Sequence, residues 1–155
     1  MLLGEQIAEA LCLSADLGMP DTLGHLDLNP GNVIVSEDQC VFLDWAEAYV
    51  GNPLLSFQYL ADHSRRMAGE DSTAESGLTR AYAEEWQSLV LTESLREALV
   101  LAPMLAVFAY AASTDAWRDQ VRLQDPRVAG YLRSLTRRMH REGKKLRDRS
   151  ALCPS

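Results

Sequence analysis

Three oxygen-bearing side chains, Asp27, Asn32 and Asp44, surround a short part of the sequence that could form two β-strands. Carboxylate and amide oxygens are the ligands that Mg²⁺ takes from proteins, usually together with waters and substrate phosphates. A further carboxylate that faces a cleft could accept a proton or a hydrogen bond from an attacking hydroxyl. These residue types are therefore suited to phosphoryl transfer, in which the protein mainly positions the reactants and neutralises charge.

The segment between Asn32 and Asp44 decides whether these side chains can meet. Two apolar runs, 33–35 and 40–43, are separated by a polar turn, and this pattern predicts a β-hairpin. If the hairpin pairs symmetrically about Asp38, Asn32 faces Asp44. Directly opposed residues have Cβ atoms roughly 4.5–5.5 Å apart, so we expect a side-by-side amide and carboxylate that could share one divalent ion. The alternative is structural: Asp27 as a helix N-cap, Asn32 in a turn and Asp44 at a strand end.

The sequence around these residues resembles the aminoglycoside phosphotransferase and choline kinase group, which are relatives of the protein kinases. The resemblance rests on His-x-Asp-x4-Asn at residues 25–32, followed by Leu-Asp-Trp at 43–45. Protein kinases have H-R-D-x4-N and D-F-G in the corresponding segments. Residues 18–23 and the Gly-Asn-Pro at 51–53 are also similar to that group, whereas the later helices match only in general character.

The resemblance implies a role for each residue of the motif. Asp27 would be the catalytic base or the residue that orients the hydroxyl, and His25 would support the catalytic loop structurally. Asn32 and Asp44 would bind Mg²⁺ on the phosphates of ATP, and Trp45 would pack beneath Asp44. The implied function is ATP- and Mg²⁺-dependent transfer of a phosphoryl group to a hydroxyl of a small molecule.

Several features depart from the pattern of that group. Asn52 and Ser56 stand where its members often have Asp, although both residue types can cap a helix. Kinase-like enzymes also need a phosphate-covering loop and a lysine in an N-terminal lobe, whereas this sequence has no Gly-rich loop and its only lysines are Lys144 and Lys145. We therefore expect a C-terminal lobe without the N-terminal nucleotide-binding lobe, and weak ATP binding. The alternative function is a catalytically incompetent remnant that acts as a binding or interaction module.

The elements that must position the motif are mostly helical. The expected fold class is α+β and mostly α: the C-terminal lobe of a protein-kinase-like phosphotransferase, with a β-hairpin at the catalytic loop followed by a helical bundle. We expect Pro103 to kink its helix or divide it in two. Apolar periodicity predicts helices over 4–18, 54–67, 74–90 and 93–113 and after Pro126, with a loop over 19–32. The expected domain is a single lobe over 1–145, with the catalytic loop and hairpin at 23–45, the bundle at 53–142 and a frayed tail at 146–155.

Composition and charge limit the partners. Residues 1–116 carry four basic and 18 acidic side chains, whereas residues 117–155 carry eleven basic and four acidic ones. We interpret the basic end as a solvated helix that binds neither nucleic acid nor membrane, because no aromatic side chains alternate with its charges. The expected partner is a small-molecule hydroxyl substrate, with a cationic one left open, and with a separate N-lobe chain or self-association as further options. Three widely spaced cysteines without metal-ligand spacing favour a cytoplasmic location.

Overall fold

The structure is a computed structural model that describes residues 2–68 and 72–152. It is mostly helical and has two antiparallel strand pairs, which confirms the predicted mostly helical α+β class. The chain divides into two compact units, Leu17–Leu99 and Met1–Asp16 with Val100–Ser155. The elements are α1 (Leu3–Asp16), β1 (Thr22–His25), β2 (Val33–Val35), β3 (Cys40–Phe42), β4 (Ala48–Gly51), α2 (Leu54–Ala68), α3 (Ser72–Trp86), α4 (Thr92–Ser113), α5 (Gln120–Leu123) and α6 (Pro126–Leu152), with 3-10 turns at Pro30–Asn32 and Trp45–Glu47.

The strand β1 carries the start of the candidate site, and it corrects the prediction of a loop over 19–32. It pairs in antiparallel register with β4, so that Gly24 lies opposite Tyr49 and His25 opposite Ala48. The sequence pattern could not show this strand, because its partner follows only after the intervening hairpin and neither strand has a long alternating pattern. Pairing with β4 fixes the residue from which the loop that carries Asp27 departs.

The hairpin β2–β3 forms as predicted, but its register differs by one residue. Val33 pairs with Phe42, and Ser36 N–H donates to Gln39 C=O at 2.8 Å. The loop therefore contains two residues rather than three centred on Asp38. Two-residue loops are the commonest hairpin connections, so the symmetric three-residue turn was the wrong assumption.

The shifted register changes which residues are neighbours at the base of the hairpin. Leu43 N–H donates to Asn32 C=O at 2.8 Å, so Leu43 takes the place opposite Asn32 that was predicted for Asp44. The prediction that Asn32 directly faces Asp44 is wrong in this respect. Asp44 instead follows Leu43 at the point where the chain leaves the hairpin.

Helix α2 begins directly after β4, with the caps that its sequence predicts. Asn52 accepts a hydrogen bond on Oδ1 from Leu54 N–H at 2.9 Å, as an N-cap residue does. Pro53 directly precedes α2, where its missing N–H costs nothing because the first N–H groups of a helix have no intrahelical acceptor. Asn52 therefore satisfies the start of α2 without the carboxylate that the family resemblance would have placed there.

The apolar core of the Leu17–Leu99 unit lies between α2 and α3. Leu54 is 2% exposed, and Phe57 stacks on Tyr82 with ring centroids 4.1 Å apart. Arg65 of α2 is hydrogen-bonded to Glu75 of α3, and this contact lowers the pKa of the Glu75 carboxyl. Burial of apolar side chains, rather than this surface ion pair, therefore holds the two helices together.

The other unit packs α1 and α4 with α6. Val107, Leu135 and Met139 form its buried cluster, and Leu3 and Ile7 of α1 pack against it. The helical backbone of α6 continues to Leu152, into the segment that was predicted to be a frayed tail. Residues 153–155 of that segment lie outside the described residues.

Helix α4 runs unbroken through Pro103, so of the two expectations for this proline, a kink or a division, the division into two helices is wrong. Its length and mean hydropathy of 1.6 would suffice to cross a membrane, but a core helix meets the same criteria. The buried residues of α4 are Leu95, Ala98, Leu101, Ala102, Met104, Leu105, Ala106 and Val107. These buried side chains are what a core helix of a globular protein has.

Gly24 offers a direct test of the β1–β4 pairing. A Cβ atom at residue 24 would lie 2.2 Å from Cζ of Tyr49, whereas one at Gly77 in α3 would meet no heavy atom within 4 Å. We expect Gly24→Ala to destabilise the fold by about 1–3 kcal/mol through overpacking. The control Gly77→Ala should stabilise it by about 0.5–1 kcal/mol. Urea unfolding followed by circular dichroism measures both, and equal stability of Gly24→Ala and wild type would contradict the pairing.

Because of Tyr82, the free energy of unfolding of the Leu17–Leu99 unit changes with pH in the alkaline range. Burial raises the pKa of the Tyr82 hydroxyl from 10.0 to about 12, with the side chain of Trp86 opposing the shift. Since the unfolded chain loses this proton at lower pH than the folded chain, the contribution of neutral Tyr82 is complete below its unfolded pKa and is lost as pH rises through its folded pKa. Tyr82→Phe should flatten the loss of stability over roughly pH 10–12, the range between the unfolded and folded pKa of Tyr82.

The measurement is urea unfolding at successive pH values, with Tyr131→Phe as the control because Tyr131 is 44% exposed. An identical pH slope for wild type and Tyr82→Phe would show that Tyr82 is not the group responsible.

Candidate active site

The structure brings Asp27 and Asn32 into direct contact. Nδ2 of Asn32 donates to Asp27 Oδ2 at 3.1 Å and to the carbonyl oxygen of Asp27 at 2.9 Å. Since a carboxylate and a carbonyl both accept, the group of Asn32 that faces them must be the NH₂. The loop from β1 to β2 therefore closes on itself, with Asp27 partly buried at its centre.

Asn29 is a second amide on the same carboxylate, and sequence reasoning missed it. Its Nδ2 donates to Asp27 Oδ1 at 3.0 Å, while its Oδ1 accepts from Gly31 N–H at 2.8 Å. Asn29 thereby caps the 3-10 turn Pro30–Asn32 and holds the carboxylate of Asp27 at the same time. The Asn-Pro-Gly sequence could have indicated it, because Asn before a turn commonly bonds to the backbone two residues ahead.

Two oxygen ligands remain without a protein partner. Both hydrogen bonds of the Asn32 side chain are made by its NH₂, and no group in the described ranges 2–68 and 72–152 bonds to its Oδ1. The carboxylate of Asp44 is exposed and makes no capping bond to the 3-10 turn that follows it. These are the oxygens through which the two residues could bind a hard cation.

The backbone of Asp44 has an unusual conformation. Its φ of 55° and ψ of 63° lie in the left-handed region. This region costs most residues roughly 1–2 kcal/mol, and Asp and Asn enter it more readily than other residues with a Cβ atom. The chain turns here from β3 into the turn Trp45–Glu47, so the left-handed residue sets the direction in which the carboxylate projects.

His25 connects the loop of Asp27 with the residue before Asp44. It is 2% exposed. Its Nδ1 accepts from Asp27 N–H at 3.1 Å, and its Nε2 lies 2.9 Å from the carbonyl oxygen of Leu43. An N–H can only donate and a carbonyl can only accept, so these contacts require the neutral imidazole with its proton on Nε2. Both ring nitrogens are occupied by backbone groups, which leaves neither of them for a substrate proton.

Trp45 packs on the ring of His25 rather than in the core. The two ring centroids are 5.0 Å apart, and Trp45 Nε1–H donates to the carbonyl oxygen of Phe42 at 3.0 Å. The indole is 42% exposed. It therefore covers one face of the His25 imidazole and ties the turn after Asp44 back to strand β3.

Asn32 Oδ1 and the Asp44 carboxylate are oxygen donors of the kind that a hard divalent cation prefers. In the described residues, no group of three or more His, Cys, Asp or Glu side chains could hold a metal ion. A Mg²⁺ ion bound with substrate phosphates needs only one or two protein carboxylates, since waters and phosphates complete its octahedron. An amide oxygen and one carboxylate could thus hold such an ion only together with a phosphate ligand.

Comparison with known proteins agrees with this chemistry. Residues 3–92, more than half of the chain, match the model of APH, described as the phosphotransferase enzyme family. The match includes all of the residues of the candidate site and the helix α2 behind it. No curated protein and no solved structure matches the chain. The chain therefore belongs to the phosphotransferase enzyme family.

Proposed function

We propose that the chain is the catalytic part of an ATP- and Mg²⁺-dependent phosphotransferase that acts on a hydroxyl group of a small molecule. Family membership supports phosphotransferase chemistry. The single observation that supports these particular residues is the contrast between two carboxylates, since Asp27 is held by two amides, whereas within residues 2–68 and 72–152 no side-chain donor bonds to Asp44. ATP as donor, Mg²⁺ as metal and a hydroxyl as acceptor are the finer parts of this proposal, and that contrast supports only the roles of the two carboxylates.

The metal role falls to Asn32 and Asp44. A carboxylate with no hydrogen-bond donor around it keeps its lone pairs for a cation, and the amide oxygen of Asn32 is oriented by the two bonds that its NH₂ makes. Mg²⁺ bound there would neutralise the phosphates of the nucleotide. The residues present fit the ion, because hard oxygen donors are what it requires.

The role of base or hydroxyl-orienting group falls to Asp27. Its carboxylate accepts one hydrogen bond on each oxygen, which fixes the plane of the group and leaves further lone pairs for a substrate hydroxyl. A fixed carboxylate can align the attacking oxygen and take its proton as the bond to phosphorus forms. His25 then supports the loop and takes no part in proton transfer.

We further propose a protein-kinase-like fold for the lobe, a cytoplasmic location and a small hydroxyl compound as acceptor. The excess of acidic side chains over residues 1–116 would favour a cationic acceptor. We expect weak binding of ATP by this chain alone, because it has no Gly-rich loop and no lysine close in sequence to the site.

A second candidate function is a binding module that has kept the motif but not the activity. The exposed apolar side chains of the hairpin, Ile34, Val35, Val41 and Phe42, could contact a partner or a second copy. Measurable nucleotide turnover would exclude this alternative.

Metal binding can be tested without turnover. Mn²⁺ accepts the same oxygen ligands as Mg²⁺ and broadens the NMR signals of nearby nuclei, so we expect it to broaden the side-chain NH₂ of Asn32 and the amide of Leu43. Asp44→Asn keeps a residue that tolerates the left-handed backbone. It should weaken binding at least about 10-fold, the smaller loss seen when a supporting residue of a metal site is removed.

The matched control is Asp38→Asn, which removes a carboxylate from the exposed turn of the same hairpin. Equal broadening in Asp44→Asn and Asp38→Asn would mean that Asp44 does not hold the ion.

Catalysis is tested by phosphoryl transfer from ATP to a panel of hydroxyl acceptors in the presence of Mg²⁺. Asp27→Ala should lower the rate by about 10²–10⁴-fold, the usual contribution of a general base. Asp21→Ala removes an exposed carboxylate shortly before β1 and should leave the rate unchanged. A rate that survives Asp27→Ala would overturn the assignment of the base, and no transfer by the wild-type chain would favour the binding module.

A further inference from the structure

A chain of hydrogen bonds through two hydroxyl groups, those of Ser56 and Tyr49, joins the end of β1 to the start of α2. The backbone N–H of His25 donates to Ser56 Oγ at 2.8 Å. Ser56 Oγ lies 3.2 Å from Tyr49 Oη, which lies 2.8 Å from the carbonyl oxygen of Asn52. The N–H of Ser56 also donates to Tyr49 Oη, at 3.3 Å. The contacts connect three elements, β1, β4 and α2.

The two ends of this chain of hydrogen bonds fix the direction of every proton in it. An amide N–H only donates and a carbonyl only accepts. Since Tyr49 donates its only proton to the carbonyl of Asn52, Tyr49 Oη can only accept at its contact with Ser56, so the Ser56 proton points to Tyr49 Oη. Burial raises the pKa of the Tyr49 hydroxyl, so Tyr49 keeps the proton that this arrangement requires.

The absence of a side chain at Gly24 leaves space for the Tyr49 ring. The ring lies across Gly24, where a Cβ atom would be 2.5 Å from Tyr49 Oη as well as 2.2 Å from Cζ. Only glycine at residue 24 lets the hydroxyl of Tyr49 reach Ser56. The pair Gly24–Tyr49 thus serves the chain of hydrogen bonds as well as the strand pairing.

We propose that Tyr49 and Ser56 are positioning residues that fix His25, and through its ring both Asp27 and the residue before Asp44. His25 cannot shift its backbone without breaking the bond to Ser56, and its ring holds Asp27 N–H and the carbonyl of Leu43. Tyr49 therefore acts on the catalytic loop without touching it. The catalytic consequence rests on the proposed function, whereas the structural coupling does not.

Amide hydrogen exchange measured by NMR tests the coupling on the whole chain without substrate. Tyr49→Phe keeps the ring but removes the acceptor for the Ser56 proton, so we expect exchange of the His25 amide to accelerate at least about 10-fold. The amide of Leu26, which donates to the carbonyl of Glu47, is the internal reference and should change less. Tyr131→Phe removes a hydroxyl from the other unit and should change neither amide.

Variants of Ser56 separate a connected chain of hydrogen bonds from two independent contacts. Ser56→Ala should accelerate exchange of the His25 amide, and adding Tyr49→Phe to it should cause little further acceleration. Ser56→Asp supplies a carboxylate that accepts from His25 without having to donate a proton onward. In that background we expect Tyr49→Phe to lose most of its effect.

Each outcome either supports or contradicts the coupling of Tyr49 and Ser56 to His25. Unchanged protection of the His25 amide in Tyr49→Phe, or effects of Tyr49→Phe and Ser56→Ala that simply multiply, would overturn the coupling. If phosphoryl transfer is detected, Tyr49→Phe should lower kcat with little change in the KM for ATP, and Ser56→Asp should restore kcat in that variant. Accelerated exchange with no detectable transfer would support the coupling and count only against the proposed function.

Discussion

The candidate site depends on the two hydrogen bonds that the neutral imidazole of His25 makes with the backbone. The imidazole is buried, and its two nitrogens bond to backbone groups on either side of the hairpin, Asp27 N–H and the carbonyl of Leu43. A buried ring with both nitrogens satisfied has one stable tautomer and one orientation. The loop that carries Asp27 and the strand end that leads to Asp44 are therefore held by a single side chain, which is itself tied to α2 through Ser56.

The local elements could be predicted because their causes are local. Apolar periodicity, Asn52 with Pro53 at the start of α2 and the two apolar runs of the hairpin all lie within a few residues of the structure that they specify. The motif residues Asp27 and Asn32 were found for the same reason, since five positions and one turn separate them. Residue type and spacing alone were sufficient to predict that Asp27 and Asn32 lie close together.

The features that could not be predicted depend on partners distant in sequence. Strand β1 exists because β4 pairs with it, and a short strand beside Gly and Pro residues has no pattern of its own. The hairpin register turned on one residue of loop length, which moved Leu43 into the position expected for Asp44. Ser56 looked like ordinary variation in a helix cap, although it accepts the backbone N–H of His25.

The hairpin combines exposed apolar side chains with a firmly held base. Ile34 and Val41 are 55% and 43% exposed, and an isolated two-stranded hairpin is marginally stable in water. Its stability comes from the base, where the bond from His25 to Leu43 and the Trp45 indole tie it to the rest of the unit. The exposed tip can therefore differ in sequence while the base stays in place.

The left-handed backbone conformation of Asp44 restricts which residue types can occupy that position. Glycine, asparagine and aspartate are the types that adopt this conformation readily, and aspartate alone among them carries a charge. Glutamate would keep the charge but would strain the main chain and project its carboxylate one methylene farther. The backbone therefore limits this position to Gly, Asn or Asp, of which only Asp carries a charge.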